Sequence, residues 1–556
     1  MSEQASTEGR TLSRPPPIDT TEKDKVEPEY PNIYKRAIIM ISLYLAMFLI
    51  ILDGSIIATA VPRITDDFHS IGDIGWYGSA YLLTTCTFQL LMGKIYKFYP
   101  AKPVFLVGII IFEVGSVICG AAPNSMAFII GRAIAGLGSS WLFSGVMIIM
   151  FNTIPLQERL AWQGGIGGVL TLGSVIGPLL GGAFTDKITW RWCFYINLPV
   201  GAVTILVIAF ILKLPNQKLA KPADGWMGKL KQLDPVGNLC FFPGVICLIL
   251  ALQWGGTKYL WSDRRIIALI VICIVMVILF IGIQIWKKDN AMVPPRLFKQ
   301  RSIAAVTFYS FFIGAGMIVL PYYLPIWFQA VKNASAIKSG IMLLPMVLSM
   351  VIGTISSGII ISKTGYYTPF FLLSSVFMSV GAGLISTFTP TTGAGKWIGY
   401  QLIMGIGLGF GVQQPMTVVQ TILDATDIAT GTALVTFVRF LASAIFLPVA
   451  ENIFLNTLVK KLTNLPGIDH ETVTSGGATE LRRLVSSDDL HLLLADYNEA
   501  IRYVTFLVIA ASTITTIGSV FVEWRNLKPG AKEQVSGVNK SEEGKASSIE
   551  EKKDIR

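Results

Sequence analysis

The stretch "GKIYKFYPAKPVFL" (residues 93–106) has a counterpart in "GIIISKTGYYTPFF" (358–371). Each leaves an apolar run on a glycine, Gly93 or Gly358, makes a short basic turn, and re-enters after a proline, Pro103 or Pro369. A looser echo links "GRAIAGLGSS" (131–140) to "GYQLIMGIGLGFG" (399–411). Both pairs are about 265 residues apart. One offset shared by two echoes points to a chain of two similar halves. The competing reading is that glycine-ended turns recur by chance in a chain rich in apolar helices.

The 556 residues are 52% hydrophobic and only 14% charged, with a mean hydropathy of +0.60. A soluble chain of this length needs far more charge to cover its surface. Apolar runs of roughly 20 residues, each long enough to cross a ~30 Å hydrocarbon core, recur from Lys35 to Trp524. They are continuous and do not alternate, which excludes a β-barrel. The expected fold is an all-α polytopic membrane protein of about fourteen transmembrane helices. Six form a bundle at 37–213, two lie in a linker at 214–301, and six form a second bundle at 302–523. The sixth run, 193–213, and the twelfth, 397–420, each read as one unbroken span. A long outer loop is expected at about 452–498. Residues 1–36 and 524–556 are polar, cannot bury a core, and read as disordered cytosolic tails. Parallel halves of this kind are a transporter architecture, with the substrate site between them near the midplane.

The net charge of +10 is spread through loops and tails, which does not suit nucleic-acid binding. Placing the N-terminus inside puts Lys94, Lys97 and Lys102, and the cluster from Lys287 to Arg301, on the cytosolic side. Arg264 and Arg265 break the bias at an outer edge. The six cysteines lie within or beside spans, without metal-ligand or disulfide spacing. His69, His470 and His491 fall in expected outer loops, so a proton crossing the membrane must ride on a carboxylate.

"TLGSVIGPLLGGAFTDKITWRW" (171–192) places Gly173, Gly177 and Gly181 four residues apart, with Gly182 following and Pro178 in the middle. Glycine costs a helix about 1 kcal/mol and proline about 3. Stacked glycines let a second helix approach backbone to backbone, and Pro178 removes the hydrogen bond to the Ser174 carbonyl. Such a helix suits a hinge rocking against the other half, or a static close-packed pair.

These residues also carry a family resemblance. "GSVIGPLLGG" resembles the antiporter signature of the major facilitator superfamily. "LDGSIIATAVPRI" (52–64), "GRAIAGLGSS", "GKIYKFYPAKPVFL" and "WRWCFYINLPVG" (190–201) resemble further motifs of its fourteen-span drug:proton antiporters. The match is dense from about Ile51 to Leu212 and looks most like the fungal toxin and secondary-metabolite efflux branch. The resemblance implies an inner-loop gate at Gly93, Lys94, Lys97 and Lys102. The family carries an aspartate where Lys97 stands and a glycine where Pro100 stands, which puts its charge latch in doubt here.

Charges inside spans are expensive and mark function by default. Asp53, Glu113 and Arg132 lie at depths that agree within roughly 5 Å at 1.5 Å per residue. A carboxylate there is pulled two ways: low dielectric favours the protonated acid, and an arginine favours the charged form. The three are the proton-coupling candidates, and the resemblance matches Arg132 to the family arginine linked to proton transfer. The alternative is an ion pair that only fixes the bundle. Arg439 has no evident partner. It can cap carbonyls, snorkel or meet an acidic substrate.

Gln413, Gln414, Gln420 and Trp327 join Arg439 as substrate-cavity candidates, although helix packing or an interfacial belt accounts for them equally well. Asn333 heads an N-A-S glycosylation sequon in a short outer loop. There is no phosphate loop for ATP, no cofactor motif and no enzyme constellation. The expected function is proton-coupled export of amphipathic small molecules across the plasma membrane, with protons, lipid and the substrate as partners. Alternatives are a siderophore or basic amino acid transporter, at the plasma or vacuolar membrane, and a non-transporting sensor.

Overall fold

The computed structural model describes residues 31–68, 74–214, 225–256, 259–334, 336–424, 426–462 and 490–526. Within them the membrane-crossing elements are all helices, because helices satisfy their own backbone polar groups in hydrocarbon. The first half comprises α1 (Ile33–Phe68), α2 (Ile74–Phe98), α3 (Ala101–Ala121), α4 (Ser125–Thr153), α5 (Leu156–Lys187), the short α6 (Trp192–Tyr195) and α7 (Asn197–Ile211). The linker holds α8 (Gly225–Gln232), α9 (Pro235–Trp254), α10 (Arg264–Lys287) and α11 (Pro295–Lys299). The second half comprises α12 (Arg301–Ala330), α13 (Ala336–Thr364), α14 (Thr368–Ile385), α15 (Ala394–Gly411), α16 (Gln414–Ile422), α17 (Ile428–Leu462) and α18 (Leu490–Phe521).

The two halves pack alike. α3 lies on α4 as α14 lies on α15, α1 on α5 as α12 on α17, and α2 on α4 as α13 on α15. The glycine echoes make these contacts. A side chain at Gly136 would strike Tyr81 and Thr84 of α2, and one at Gly405 would strike Met346 and Ser349 of α13. Gly138 meets the backbone of Phe112 on α3, and Gly407 meets Phe377 and Met378 on α14. The repeat is thus a repeat of backbone-to-backbone approach. Across the halves, α5 packs on α13 and α17 on α2.

Among the described residues, twelve helical segments are long and apolar enough to cross a membrane. α2 and α5, at 25 and 32 residues, are not among the twelve. The sixth expected span lies in one apolar helical segment, Trp192–Ile211, and the twelfth in another, Ala394–Ile422, which is interrupted at Val412–Gln413, where Pro415 opens α16. The outer loop expected at 452–498 is shorter. α17 runs to Leu462 and α18 starts at Leu490, so His491 sits on a helix, while 463–489 lie outside the described residues. His69 and His470 lie outside them too, as does most of each expected tail. Ile33–Arg36, assigned to the first tail, begin α1.

The linker helices α9 and α10 pair with each other. α10 is exposed along Ile267, Val271, Ile274 and Ile278, as a lipid-facing helix must be. Asp234 anchors the pair. It caps α9 ahead of Pro235, in the left-handed region at φ 56°. Its carboxylate accepts from Gly237 N (2.9 Å), Lys287 Nζ (2.7 Å), Gln284 Nε2 (3.1 Å) and Met292 N (3.0 Å). Burial pushes this carboxyl up, but the donors from Lys287, Gly237 and Gln284 outweigh it and hold it below the usual aspartate range.

Removing it by Asp234→Ala leaves these donors unmatched, so we expect a loss of about 2–3 kcal/mol, read as a lower Tm in detergent at pH 7. A carboxyl held low contributes stability that is complete above the unfolded value of about 3.9 and is lost as pH falls through the lower folded value. The gap between wild type and variant should therefore narrow below about pH 4. A gap that stays constant down to that range contradicts this role.

Candidate functional site

Four helices, α1, α2, α4 and α7, converge on one buried pair. Asp53 on α1 is 0% exposed and Arg132 on α4 is 1% exposed. Arg132 Nη1 donates to Asp53 Oδ2 at 2.6 Å, and its Nε donates to the Tyr77 carbonyl of α2 at 2.9 Å. The guanidinium also lies 4.5 Å from the Tyr81 ring centroid. Asn197, which opens α7, donates to Asp53 Oδ1 (3.4 Å) and to Ser116 Oγ of α3 (3.0 Å). Asn197 was within reach of sequence reasoning, as an amide in an apolar run. Glu113 stays outside the ion pair. It lies against Gly201 of α7, where any added side chain would strike its carboxylate. Among the described residues neither of its oxygens has a hydrogen-bond partner.

The glycine series of α5 has a different partner from the one the hinge reading gave it. Gly173 faces Ile51 and Leu52, and Gly177 faces Ser55 and Ile56. All four belong to α1, in the same half. Ser55 Oγ donates to the Gly173 carbonyl at 3.0 Å, closing the contact. Gly181 is buried with its carbonyl 4.0 Å from Cys193 Sγ, Gly182 has open space beside it, and helix α5 runs on through Pro178. The contact between halves is made earlier, by Gly164, Gly167 and Gly168 against Ile355, Thr354 and Val351 of α13. Gly164 and Gly173 are nine residues apart, which at 3.6 residues per turn puts them on opposite faces.

Gly177→Leu should therefore act on folding. The side chain strikes the Ser55 side chain and then the Ile56 backbone of α1, and overpacking of this kind costs about 1–3 kcal/mol or more. Protein at the membrane should fall, with turnover per molecule unchanged. Normal levels with lost turnover would restore the hinge reading.

The ends of α2 and α17 nearest the start of α1 carry a second charged cluster. Lys97 Nζ lies 2.6 Å from Asp427 Oδ1, and Arg296 Nη2 of α11 lies 2.6 Å from Asp427 Oδ2. Arg296 also meets Asp289 at 2.8 Å. A side chain at Gly93 would strike Ala433, so α2 and α17 touch closely here. Lys94 donates to the Gln232 carbonyl (3.1 Å), and Lys102 to Ala209 and Leu212 at the end of α7. The motif's missing aspartate is thus offset by one in the other half, with the charges exchanged. Asp427 was missed in the sequence. The signal was "LDATDIATG", acids just before a helix, where the helix dipole favours them.

In the second half the chain opens between α15 and α16. Arg439 Nη1 reaches the Val412 carbonyl at 3.4 Å, so it caps the break. Gln414 donates to Ser357 Oγ at 3.3 Å. Among the described residues Gln413 Oε1, Gln414 Oε1 and Gln420 Nε2 are buried without a partner. Trp327 does not join them. It is 1% exposed, donates to Asn498 Oδ1 at 2.7 Å and packs on Phe388 and Phe328, so it pins α12 to α18. Asn333 is exposed in the turn between α12 and α13, at φ 54°, a conformation that asparagine tolerates well. Ser335 of its sequon lies outside the described residues.

Residues 43–447 match the Major Facilitator Superfamily. The chain is 52% identical over 495 residues to the MFS-type efflux pump MFS1 of Arthroderma benhamiae, covering 89% of this chain and 92% of that protein. It is 49% identical over 502 residues to the rubrofusarin-specific efflux pump aurT of Gibberella zeae, covering 90% and 92%. The solved structure of the proton:xylose symporter XylE aligns with a TM-score of 0.57 at 13% identity, over 90% of this chain and 98% of that one. That last likeness is one of fold.

Proposed function

Because the chain belongs to the Major Facilitator Superfamily, we propose that it is a proton-coupled efflux pump. In this reading it exports amphipathic small organic molecules across the plasma membrane through fourteen spans, α2 and α5 included. The chain is a multi-pass membrane protein and a transporter of small molecules. The observation that carries the coupling is the fully buried Asp53–Arg132 pair. The relatives named as efflux pumps support the direction of transport. The buried cation Arg439 disfavours a basic amino acid as substrate.

The mechanism runs along α2. Its outer part presents Tyr77 and Tyr81 to Arg132, and its inner part presents Gly93 and Lys97 to the second half. About 20 residues of helix, roughly 30 Å, separate Tyr77 from Lys97. With Lys97 bound to Asp427 the inner face is closed, which leaves the outer side as the side of release. A proton on Asp53 cancels its charge. Among the described residues Arg132 is then held by the Tyr77 carbonyl and the rings of Tyr81 and Phe194. A change in the grip of Arg132 on α2 is carried by that rod to the inner charges. Deprotonation to the cytosolic side remakes the ion pair and resets the cycle.

Inverted membrane vesicles with an acidic lumen test this reading. The account expects amphipathic dyes or aromatic acids to accumulate in the lumen, and collapse of the pH gradient to stop it. Accumulation that survives the collapse would remove proton coupling.

A further inference from the structure

Arg439 is a buried cation without a buried anion. It is 7% exposed, and among the described residues no carboxylate lies within ion-pair distance of it. Its side chain makes one hydrogen bond there, the 3.4 Å contact with the Val412 carbonyl. Arg132 is buried to a similar degree in the first half, yet it has Asp53 at 2.6 Å. An uncompensated guanidinium in a low-dielectric interior is strongly unfavourable. Capping one broken helix end does not require it, because a neutral donor would serve.

The position of Arg439 is informative. Its guanidinium carbon lies 5.6 Å from the ring centroid of Phe143, on α4 of the opposite half. The adjacent Phe440 packs edge-on against that same ring, with centroids 5.2 Å apart. The cation therefore sits where the two halves meet, against the Phe143 ring on which Phe440 also packs. Further polar atoms nearby are unclaimed. Among the described residues Thr436 Oγ1, one turn before Arg439 on α17, is buried without a partner, as is Gln413 Oε1, next to Val412. Arginine does not release its proton, so Arg439 is no proton carrier. Asp427 is twelve residues back along α17, roughly 18 Å, and is already held by Lys97 and Arg296.

We propose that Arg439, with Phe143 and Phe440, forms an anion subsite between the halves, and that the substrates are aromatic organic acids carrying a carboxylate or phenolate. The guanidinium fork supplies charge-assisted hydrogen bonds to such an oxygen. The two rings contact the planar apolar body, in the usual pattern of a mostly apolar site with few polar groups. The substrate neutralises a buried charge that has no carboxylate partner among the described residues. The site thus favours an acid over a neutral compound of the same shape. This rests on the reading of the chain as an exporter and names its substrate class.

The test is equilibrium binding of 2-naphthoate and 2-naphthamide to the purified full-length protein at neutral pH. The two probes share a ring and differ in charge. Wild type should bind the carboxylate at least about tenfold more tightly, as expected for charge-assisted bonds. Arg439→Gln should bring the two within about twofold, and Arg439→Lys should keep part of the preference because it keeps the charge without the fork. Equal affinities in wild type, no naphthoate binding, or a preference that survives in Arg439→Gln would each overturn the proposal. The first comparison needs no variant, so a misfolded variant cannot shield it. Binding needs no pH gradient. Naphthoate bound through Arg439 without gradient-driven transport would sink proton coupling alone, whereas gradient-driven transport with no charge preference would sink the subsite alone.

Discussion

Asp53→Asn is expected to reduce pH-gradient-driven accumulation to the level of vesicles lacking the protein, while downhill exchange of substrate persists. Asparagine keeps the shape of Asp53 and can still accept from Arg132, but it cannot take up and release a proton. It also leaves Arg132 as an uncompensated buried charge. Breaking one side of such a pair costs about 3–5 kcal/mol, so protein levels should fall as well. The double variant Asp53→Asn/Arg132→Gln separates the two effects. Removing both charges of a buried pair is often close to neutral for stability, so levels should recover. A pair that served only to fix the bundle would then recover energised transport too. The coupling account predicts that it does not. Transport by the double variant against a gradient at wild-type turnover would leave the pair as packing.

Asp427→Ala is expected to open the inner face. It removes the shared partner of Lys97 and Arg296, whose side chains are 11% and 46% exposed. Two charge-assisted contacts, discounted for that exposure, are worth about 2 kcal/mol together, or roughly a thirtyfold shift between closed and open populations. The readout is a cysteine at Ala429, whose carbonyl lies against Gly93 at the contact, in a background with the six native cysteines replaced. Its labelling from the cytosolic side by an impermeant maleimide should speed up by about that factor in Asp427→Ala. Lys97→Met should give a smaller change, because Arg296 still holds Asp427. Labelling that is unaltered by either substitution would mean that these charges do not hold the face closed.

Much of the fold was legible in the sequence because it rests on local signals. Apolar run length marked the helices, and the glycine echoes marked places where backbones touch. Both halves then repeated the same contacts. What stayed hidden was partnership. Gly177 announces a close approach, but only the phase of α5 relative to Gly164 decides that α1, and not the other half, fills it. The pairing of Lys97 with Asp427 joins residues 330 positions apart, and reading Lys97 against a motif obscured the exchange of signs. Asp53 and Arg132 were brought together by depth counting along helices, and their 2.6 Å contact agrees with it. The same counting placed Glu113 at that level, but it could not show that Glu113 turns toward Gly201. The break at Val412 interrupts a run whose hydropathy is continuous, so hydropathy carries no trace of it.

The central claim is that Asp53 exchanges Arg132 for a proton. Infrared difference spectroscopy during acid titration of the purified protein tests it without any substrate. The account predicts a carboxylic-acid carbonyl band in wild type that is missing from Asp53→Asn and retained in Glu113→Gln. Identical bands in wild type and Asp53→Asn would contradict it.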